Sequence, residues 1–306
     1  MTELAVVIPV YRCTGCLQEL HRRLKKELLS ITPSHEIIFV DDGDQDGAWI
    51  LLKQIARQDK RVKAFRLSRN FGQHAAITAG LSKTTARYVA VMDCDLQDPP
   101  EFLRNLYRKA KEGFDVILTR RMGKKHSIVR NLAGALYFKI LSFFNGEEID
   151  GREGSFSLIS RKVVEAYLRL RDRDRHYLFI LRWLGFKSAL LKYDHAERFE
   201  GGSSYNFMAL FTHAFNGLFF QTTILLRWIV YLGLAISTVG FLLTLYFLFL
   251  YFSRSIQPGW TSLAILLLLI GGFIIASTGI TGLYIGKIFE QVKERPLYVI
   301  DEETGS

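Results

Sequence analysis

Short apolar runs rich in Val, Ile and Phe recur through the first 122 residues, at Leu4–Tyr11, Glu36–Val40, Val62–Leu67, Tyr88–Met92 and Asp115–Thr119. Runs of this length between polar turn residues predict buried strands. Between them lie segments with helical spacing: Leu17, Leu20, Leu24 and Leu28; Ile50, Leu51 and Ile55; Phe102, Leu103, Leu106 and Ala110. Strand and helix in alternation predict an α/β fold, a mostly parallel sheet with helices on both faces. In such sheets ligands bind beyond the carboxyl ends of the strands. The polar punctuation falls there: Asp41-Asp42-Gly43, Ser68-Arg69-Asn70, Asp93-Cys94-Asp95 and Arg120-Arg121.

The pattern changes in the last third. Trp228–Phe252 and Thr261–Gly286 contain no charged residue, and each exceeds the ~20 apolar residues that cross a bilayer. Ser253–Trp260 joins them as a turn, so residues 227–287 are predicted to form a transmembrane hairpin with spans 228–252 and 261–286. Arg227 precedes the first span, Lys287, Lys293 and Arg295 follow the second, and the loop holds only Arg254. Positive-inside bias then places a domain of residues 1–205 and a tail of residues 288–306 in the cytoplasm. Asn131–Phe144 and Asn206–Leu226 are apolar and aromatic with few charges. One follows the basic run Arg120–Arg130, and the other leads into the first span. Both read as helices lying in the membrane surface. MTELAVVIPVY has neither a basic start nor a cleavage site, so it is not a signal peptide.

Charge narrows the partners. The net charge of +10 resides wholly in residues 1–226, which hold 35 basic and 25 acidic side chains. A basic excess of this kind suits nucleic acid, phospholipid headgroups or a phosphorylated substrate. Nucleic acid would account for the charge and not for the hairpin. The three cysteines, Cys13, Cys16 and Cys94, make no disulfide framework, and Cys13-x-x-Cys16 lacks a second pair, so both read as ordinary residues at a helix start. The phosphate-cradling patterns G-x-G-x-x-G and G-x-x-x-x-G-K-[ST] are absent, which disfavours a Rossmann dehydrogenase and a P-loop ATPase.

The stretch VMDCDLQDPPE, residues 91–101, carries the candidate chemistry. A buried run ends in Asp93 and Asp95, with Asp98 beyond. Where the chain leaves the sheet, Asp93 and Asp95 can converge while Cys94 points away. Two close carboxylates repel unless a cation lies between them. Oxygen donors select a hard ion, Mg²⁺ or Mn²⁺, which also takes substrate phosphates. Gln97 is placed to add or orient a ligand, and Pro99-Pro100 prepares a helix start at Glu101. Asp41 and Asp42 are suited to a nucleobase N–H and a ribose hydroxyl, or else to capping the helix that begins near Gly47.

IPVYR, VDDGDQDG, RNFGQHAAITAG, DCDLQDPPE and FDVILTRR, in this order, resemble the family 2 glycosyltransferases that use a polyprenyl phosphate acceptor. That group includes dolichol-phosphate mannose synthases and bacterial undecaprenyl-phosphate glucosyl- and aminoarabinose transferases. HAERFEGGSSY and GLYIGKIFEQVKERPLYVI extend the likeness over nearly the whole chain. The resemblance implies a GT-A nucleotide-sugar fold with interfacial helices and a C-terminal membrane hairpin. It further implies an inverting transfer from a nucleotide sugar to a polyprenyl phosphate, a bacterial inner-membrane location, and a homotetramer. By matching position, Asp42 contacts the base, with Pro9, Tyr11 and Asp41 lining that pocket and Asp93 also on the nucleotide side. Asp93, Asp95 and Gln97 hold the metal, Asp95 as part of the catalytic centre. Arg121 and Arg130 take the acceptor phosphate, and Arg198 faces the donor diphosphate.

Three positions depart from the family pattern. Asp44 stands where Ser is usual, Ser204 where Lys is usual, and Ser155 where an acid often precedes Phe156, leaving Asp150 or Glu153 as the nearby acids. The general base is thereby unassigned. A phosphate monoester nucleophile has a second pKa near ~6 and is already largely ionised at neutral pH, so a strong base is dispensable. A processive polysaccharide synthase would share the D-x-D chemistry, but Phe179-Ile-Leu-Arg182-Trp183 lacks the Gln of the Q-x-x-R-W motif that such synthases resemble one another in. A non-catalytic membrane partner with a degenerate transferase domain is opposed by the intact Asp93 and Asp95.

Overall fold

A computed structural model describes residues 2–44, 46–122, 153–173, 175–194 and 259–305, with separate helical positions between 229 and 249. The described residues fall into two compact units: one carries the sheet and everything from Arg295 onward, and the other contains the long helix Trp260–Val292.

The first unit is built on eight strands: β1 (Leu4–Val10), β2 (His35–Asp41), β3 (Val62–Leu67), β4 (Tyr88–Val91), β5 (Val116–Met122), β6 (Glu153–Ser160), β7 (Ser188–Asp194) and β8 (Ile300–Thr304). Their order is β7-β5-β6-β4-β1-β2-β3-β8. β1 pairs in parallel with β2 and β4, β2 with β3, and β5 with β7. β6 runs antiparallel between β4 and β5, and β8 antiparallel along β3. The sheet is therefore mostly parallel, as the alternation of periods predicts. It places the carboxyl ends of β1 to β5 along one edge.

Helices cover both faces. α1 (Leu17–Ile31), α2 (Ala48–Gln58) and α4 (Leu103–Lys111) pack on the face formed by Leu4, Val6, Ile8 and Val10 of β1. α3 (Gln73–Ser82), α5 (Arg161–Arg169) and α6 (Tyr177–Trp183) pack on the face formed by Ala5 and Val7. All seven residues of β1 are buried, which is why the strand reads as an unbroken apolar run. α1 buries Leu17, Leu20, Leu24 and Leu28 at the predicted spacing. In α2 the buried stripe is Ala48, Trp49, Leu52, Ile55 and Ala56, and Ile50 points outward with 63% of its surface exposed. Of the expected Ile50-Leu51-Ile55 stripe, Ile55 is buried and Leu51 partly so, while Ile50 faces solvent. α3 gives no amphipathic signal because Ala76 to Leu81 are all buried. Its backbone lies so close to β1 that a Cβ on Gly80 would stand 2.3 Å from Val7 Cγ1.

Within the expected tail of residues 288–306, Ile300–Thr304 forms the edge strand β8. Ser68 N donates to Val299 O at 2.9 Å, and Lys83 Nζ pairs with Glu303 at 3.1 Å. An extra strand satisfies the otherwise open hydrogen-bonding edge of β3.

In the second unit α7 (Trp260–Val292) contains the expected second span and extends six residues past it. Its segment Ile270–Val292 is long and apolar enough to cross a membrane. Of the expected first span only separate positions are described, and those are helical. The two predicted interfacial helices lie outside the described residues.

Candidate active site

Loops at the carboxyl ends of β1 to β4 lock onto one another. Asp42, 2% exposed, accepts the backbone N–H of Phe71 at 2.8 Å on one oxygen and of Gly72 at 2.9 Å on the other. The loop after β2 is thereby clamped to the loop after β3. Gly43 makes the approach possible: its φ is +69°, and a Cβ there would lie 2.4 Å from the Arg69 carbonyl carbon. Asp44 Oδ2 accepts the N–H of Arg12 at 2.6 Å, tying the same loop to the end of β1. Neither Asp41 nor Asp42 caps α2; Asp46 Oδ1 takes the Ala48 N–H at 2.9 Å. Pro9 is buried in β1, and Tyr11, just beyond the strand, is 43% exposed with the Arg12 guanidinium over its ring.

Asp41 is fully buried. Burial pushes its carboxyl up to about 6, against the opposing effects of the Asp44 N–H and the Arg66 charge. Asp42 is also raised, chiefly by burial, and the Phe71 and Gly72 N–H groups offset part of that rise.

After β4 the chain alternates. Asp93, Asp95 and Gln97 are partly exposed, while Cys94, Leu96 and Asp98 are buried. Cys94 turns into the core, where its carbonyl accepts the Cys13 thiol at 3.1 Å. The turn is held by Asp95 Oδ1, which accepts the Gln97 N–H at 3.2 Å, and it places Leu96 at a φ of +60°. A branched residue in the left-handed region costs of order 1–3 kcal/mol and persists only where the surroundings enforce it.

Asp93 is held by three residues from other elements. Its Oδ1 accepts the Gln73 side-chain amide and the Ser155 hydroxyl, each at 2.7 Å, and its Oδ2 lies 3.7 Å from the Arg121 guanidinium. Burial and then the Asp98 charge push Asp93 up to about 6. Arg121 also lies 3.8 Å from the fully buried Asp98, and its Nε donates to the Tyr193 hydroxyl at 3.3 Å. Tyr193 in turn donates to Asp98 Oδ1. Carboxylates of one loop, the end of β5 and the end of β7 thus form a single charged cluster.

Asp93, Asp95 and Gln97 present hard oxygen donors from one loop. Among the described residues no group of three or more His, Cys, Asp or Glu side chains could hold a metal by itself. The donor set fits Mg²⁺ or Mn²⁺, which take one or two carboxylates and complete their shell with phosphate and water. Crowding of Asp93, Asp95 and Asp98 supplies the local negative charge that a cation would relieve.

Of the residues singled out by sequence, the structure places Pro9, Tyr11, Asp41, Asp42, Asp93, Asp95, Gln97 and Arg121 at this edge of the sheet. Arg130, Arg198 and Asp150 lie outside the described residues. Sequence reasoning passed over Gln73, Ser155 as a donor, Arg66, and Tyr193 as the partner of Asp98. Gln73 stands inside the RNFGQHAAITAG motif, whose pattern carries no sign of its contact with Asp93.

Residues 5–168 match the family described as glycosyl transferase family 2. An uncharacterised glycosyltransferase of Synechocystis sp., sll0501, is 32% identical over 99% of this chain and 96% of its own. The undecaprenyl-phosphate 4-deoxy-4-formamido-L-arabinose transferase of Proteus mirabilis is 32% identical over 100% of this chain and 95% of its own. Among solved structures, the glucosyl-3-phosphoglycerate synthase of Mycobacterium tuberculosis, in complex with Mn²⁺, UDP and phosphoglyceric acid, superposes with a TM-score of 0.51. It is 16% identical and covers 71% of this chain and 76% of its own, a likeness of fold. With a GT-A-like sheet, a family match over more than half its length and relatives that align from end to end, this chain belongs to glycosyl transferase family 2.

Proposed function

We propose that this protein moves a sugar from a nucleoside-diphosphate sugar to a polyprenyl phosphate at a membrane surface, by one inverting displacement. The observation that carries the reading is Arg121 standing 3.7 Å from Asp93, on which the Asp95 charge also acts, at the carboxyl edge of the sheet. Carboxylates that suit a metal on a leaving diphosphate stand beside a cation that suits an incoming phosphate. The apolar segment Ile270–Val292 and the named activity of the Proteus mirabilis relative support the lipid acceptor.

In this reading Pro9, Tyr11, Asp41 and Asp42 line the nucleoside pocket. Asp93, Asp95 and Gln97 hold Mg²⁺ or Mn²⁺, which neutralises charge on the leaving diphosphate. Gln73 and Ser155 hold Asp93 in place. Arg121 and Arg130 take the acceptor phosphate through planar, doubly hydrogen-bonding guanidinium groups, and Arg198 faces the donor diphosphate. The acceptor oxygen arrives ionised, so these residues supply orientation and charge, not proton abstraction. The helix Trp260–Val292 anchors the chain in the membrane, with the catalytic domain on the cytoplasmic side.

The test is incubation of the purified protein and polyprenyl phosphate with a panel of nucleotide sugars and Mg²⁺ or Mn²⁺, followed by mass analysis of the lipid. A lipid-linked monosaccharide is expected from one donor, lost in Asp93→Ala and Asp95→Ala. Lipid left unmodified by every donor, or undiminished turnover in excess chelator, overturns the assignment.

A further inference from the structure

The Asp41 carboxylate is buried and only half satisfied. Oδ1 accepts the Asp44 N–H at 3.2 Å, while Oδ2 makes no hydrogen bond among the described residues. The cation beside it is Arg66, whose Nε lies 3.6 Å from Oδ2. The sheet register dictates this pairing, because Arg66 on β3 stands directly beside Asp41 on β2. On its other flank Arg66 stands opposite Glu302 of β8, and Nη1 lies 3.4 Å from Glu302 Oε1. Lys53 Nζ, from α2, lies 3.5 Å from the second Glu302 oxygen. Three neighbouring strands therefore carry a row of carboxylate, guanidinium and carboxylate. Side chains directly opposite on adjacent strands interact strongly enough to fix one another's orientation.

We propose that Arg66 and Glu302 are positioning residues for the nucleotide pocket. Glu302, supplied by the segment that follows the membrane helix, holds the Arg66 guanidinium. Arg66 in turn fixes the buried Asp41 carboxylate, which accepts the Asp44 N–H and so braces the loop of Asp42 and Asp44 at the wall of the nucleoside pocket. The C-terminal strand is then part of the donor site, which the position of Glu302, so late in the chain, does not suggest. The two links are unequal. Glu302 is 44% exposed and its pairing is screened by solvent, whereas Asp41 is fully buried and its neighbouring charge is not. Loss of Arg66 should therefore matter more than loss of Glu302.

This inference rests on the reading that Asp41 lines the nucleotide pocket, and the experiment separates the two. UDP, GDP, ADP and CDP are titrated by calorimetry into the full-length protein with Mg²⁺, and the tightest is used thereafter. Asp41→Asn should weaken it more than about tenfold, Arg66→Met about tenfold, and Glu302→Gln about threefold, while Arg66→Lys should restore most of the affinity. In the double variant Asp41→Asn/Arg66→Met, removing Arg66 should add little, because its effect acts through Asp41. Unchanged affinity in Asp41→Asn overturns the pocket reading itself. A weakened Asp41→Asn beside an unchanged Arg66→Met, or full additivity in the double variant, overturns the positioning role alone. Should Arg66→Met fail to fold, Arg66→Lys and Glu302→Gln carry the test. Unchanged affinity in Glu302→Gln would then remove the C-terminal strand from the donor site.

Discussion

The Ser155 hydroxyl donates to Asp93 Oδ1, the same oxygen that receives the Gln73 side-chain amide. Ser155 stands where the resembled transferases often carry an acid. In this chain Asp93 already has Asp98 and Asp95 as charged neighbours. A third neighbouring carboxylate would add repulsion, while a hydroxyl adds a hydrogen bond and no charge. Ser155→Ala should therefore loosen Asp93 and weaken metal-dependent nucleotide binding by about tenfold, the scale of one hydrogen bond to a charged group. Ser155→Asp should lower the melting temperature in metal-free buffer and recover part of it on adding Mn²⁺. Calorimetry and thermal unfolding with and without Mn²⁺ check both.

Gly43 has a positive φ and no room for a methyl group against the Arg69 backbone. Gly43→Ala is expected to cost about 1–3 kcal/mol, from left-handed strain and steric overlap together. The loop after β3 should separate from Asp42, so nucleotide affinity should fall along with the melting temperature. A variant with native melting and native affinity would contradict the clamp.

Asp41 titrates at about 6 in the folded chain against an ordinary value of 3.8. Between these values the folded state keeps a proton that the unfolded state has released, so this group's contribution to stability falls as pH rises through the window. Asp41→Asn does not titrate. Its melting temperature relative to the native protein should rise between about pH 4 and about pH 6 and level off above. Thermal unfolding at half-unit steps of pH reads the difference directly.

Arg121 is tethered by Asp98 and Tyr193. Arg121→Ala should raise the KM for polyprenyl phosphate by about tenfold or more, since each charged hydrogen bond contributes roughly 1.5–3 kcal/mol, with a much smaller change in nucleotide affinity. Tyr193→Phe removes only the bridging hydroxyl and should shift the same KM by a few-fold. Steady-state kinetics with each substrate varied separately decide it. Equal losses in nucleotide binding would move Arg121 to the donor side.

Much of the architecture was legible from the chain alone, and for a local reason. β1, β2 and β4 are buried along their whole length, so each leaves an apolar run in the sequence, whereas β3 and β5 carry partly exposed charges at Lys63 and Arg66 and at Arg120 and Arg121. α1 has one buried stripe, so Leu17, Leu20, Leu24 and Leu28 announce it. α3 is buried nearly all round and shows no period, and Ile50 is an apolar residue turned to solvent, so both misled. The Asp93–Asp95 pair was found because both acids end one strand.

The companions of those acids belong to the tertiary structure. Gln73 reaches Asp93 across 20 residues, Ser155 across 62, Tyr193 reaches Asp98 across 95, and Glu302 reaches Arg66 across 236. Periodicity records which face of an element leaves water, because that is settled within a few turns of chain. It does not record which strand lies beside which. The insertion of β6 antiparallel between β4 and β5 brings Ser155 to Asp93, and the return of β8 along β3 brings Glu302 to Arg66. Backbone hydrogen bonding favours pairing of any exposed strand edge, whatever its side chains, so the choice of neighbour rests on the packing of the whole sheet. The sequence by itself determined the acids and the strand that carries them; the order of the sheet decided what holds those acids in place.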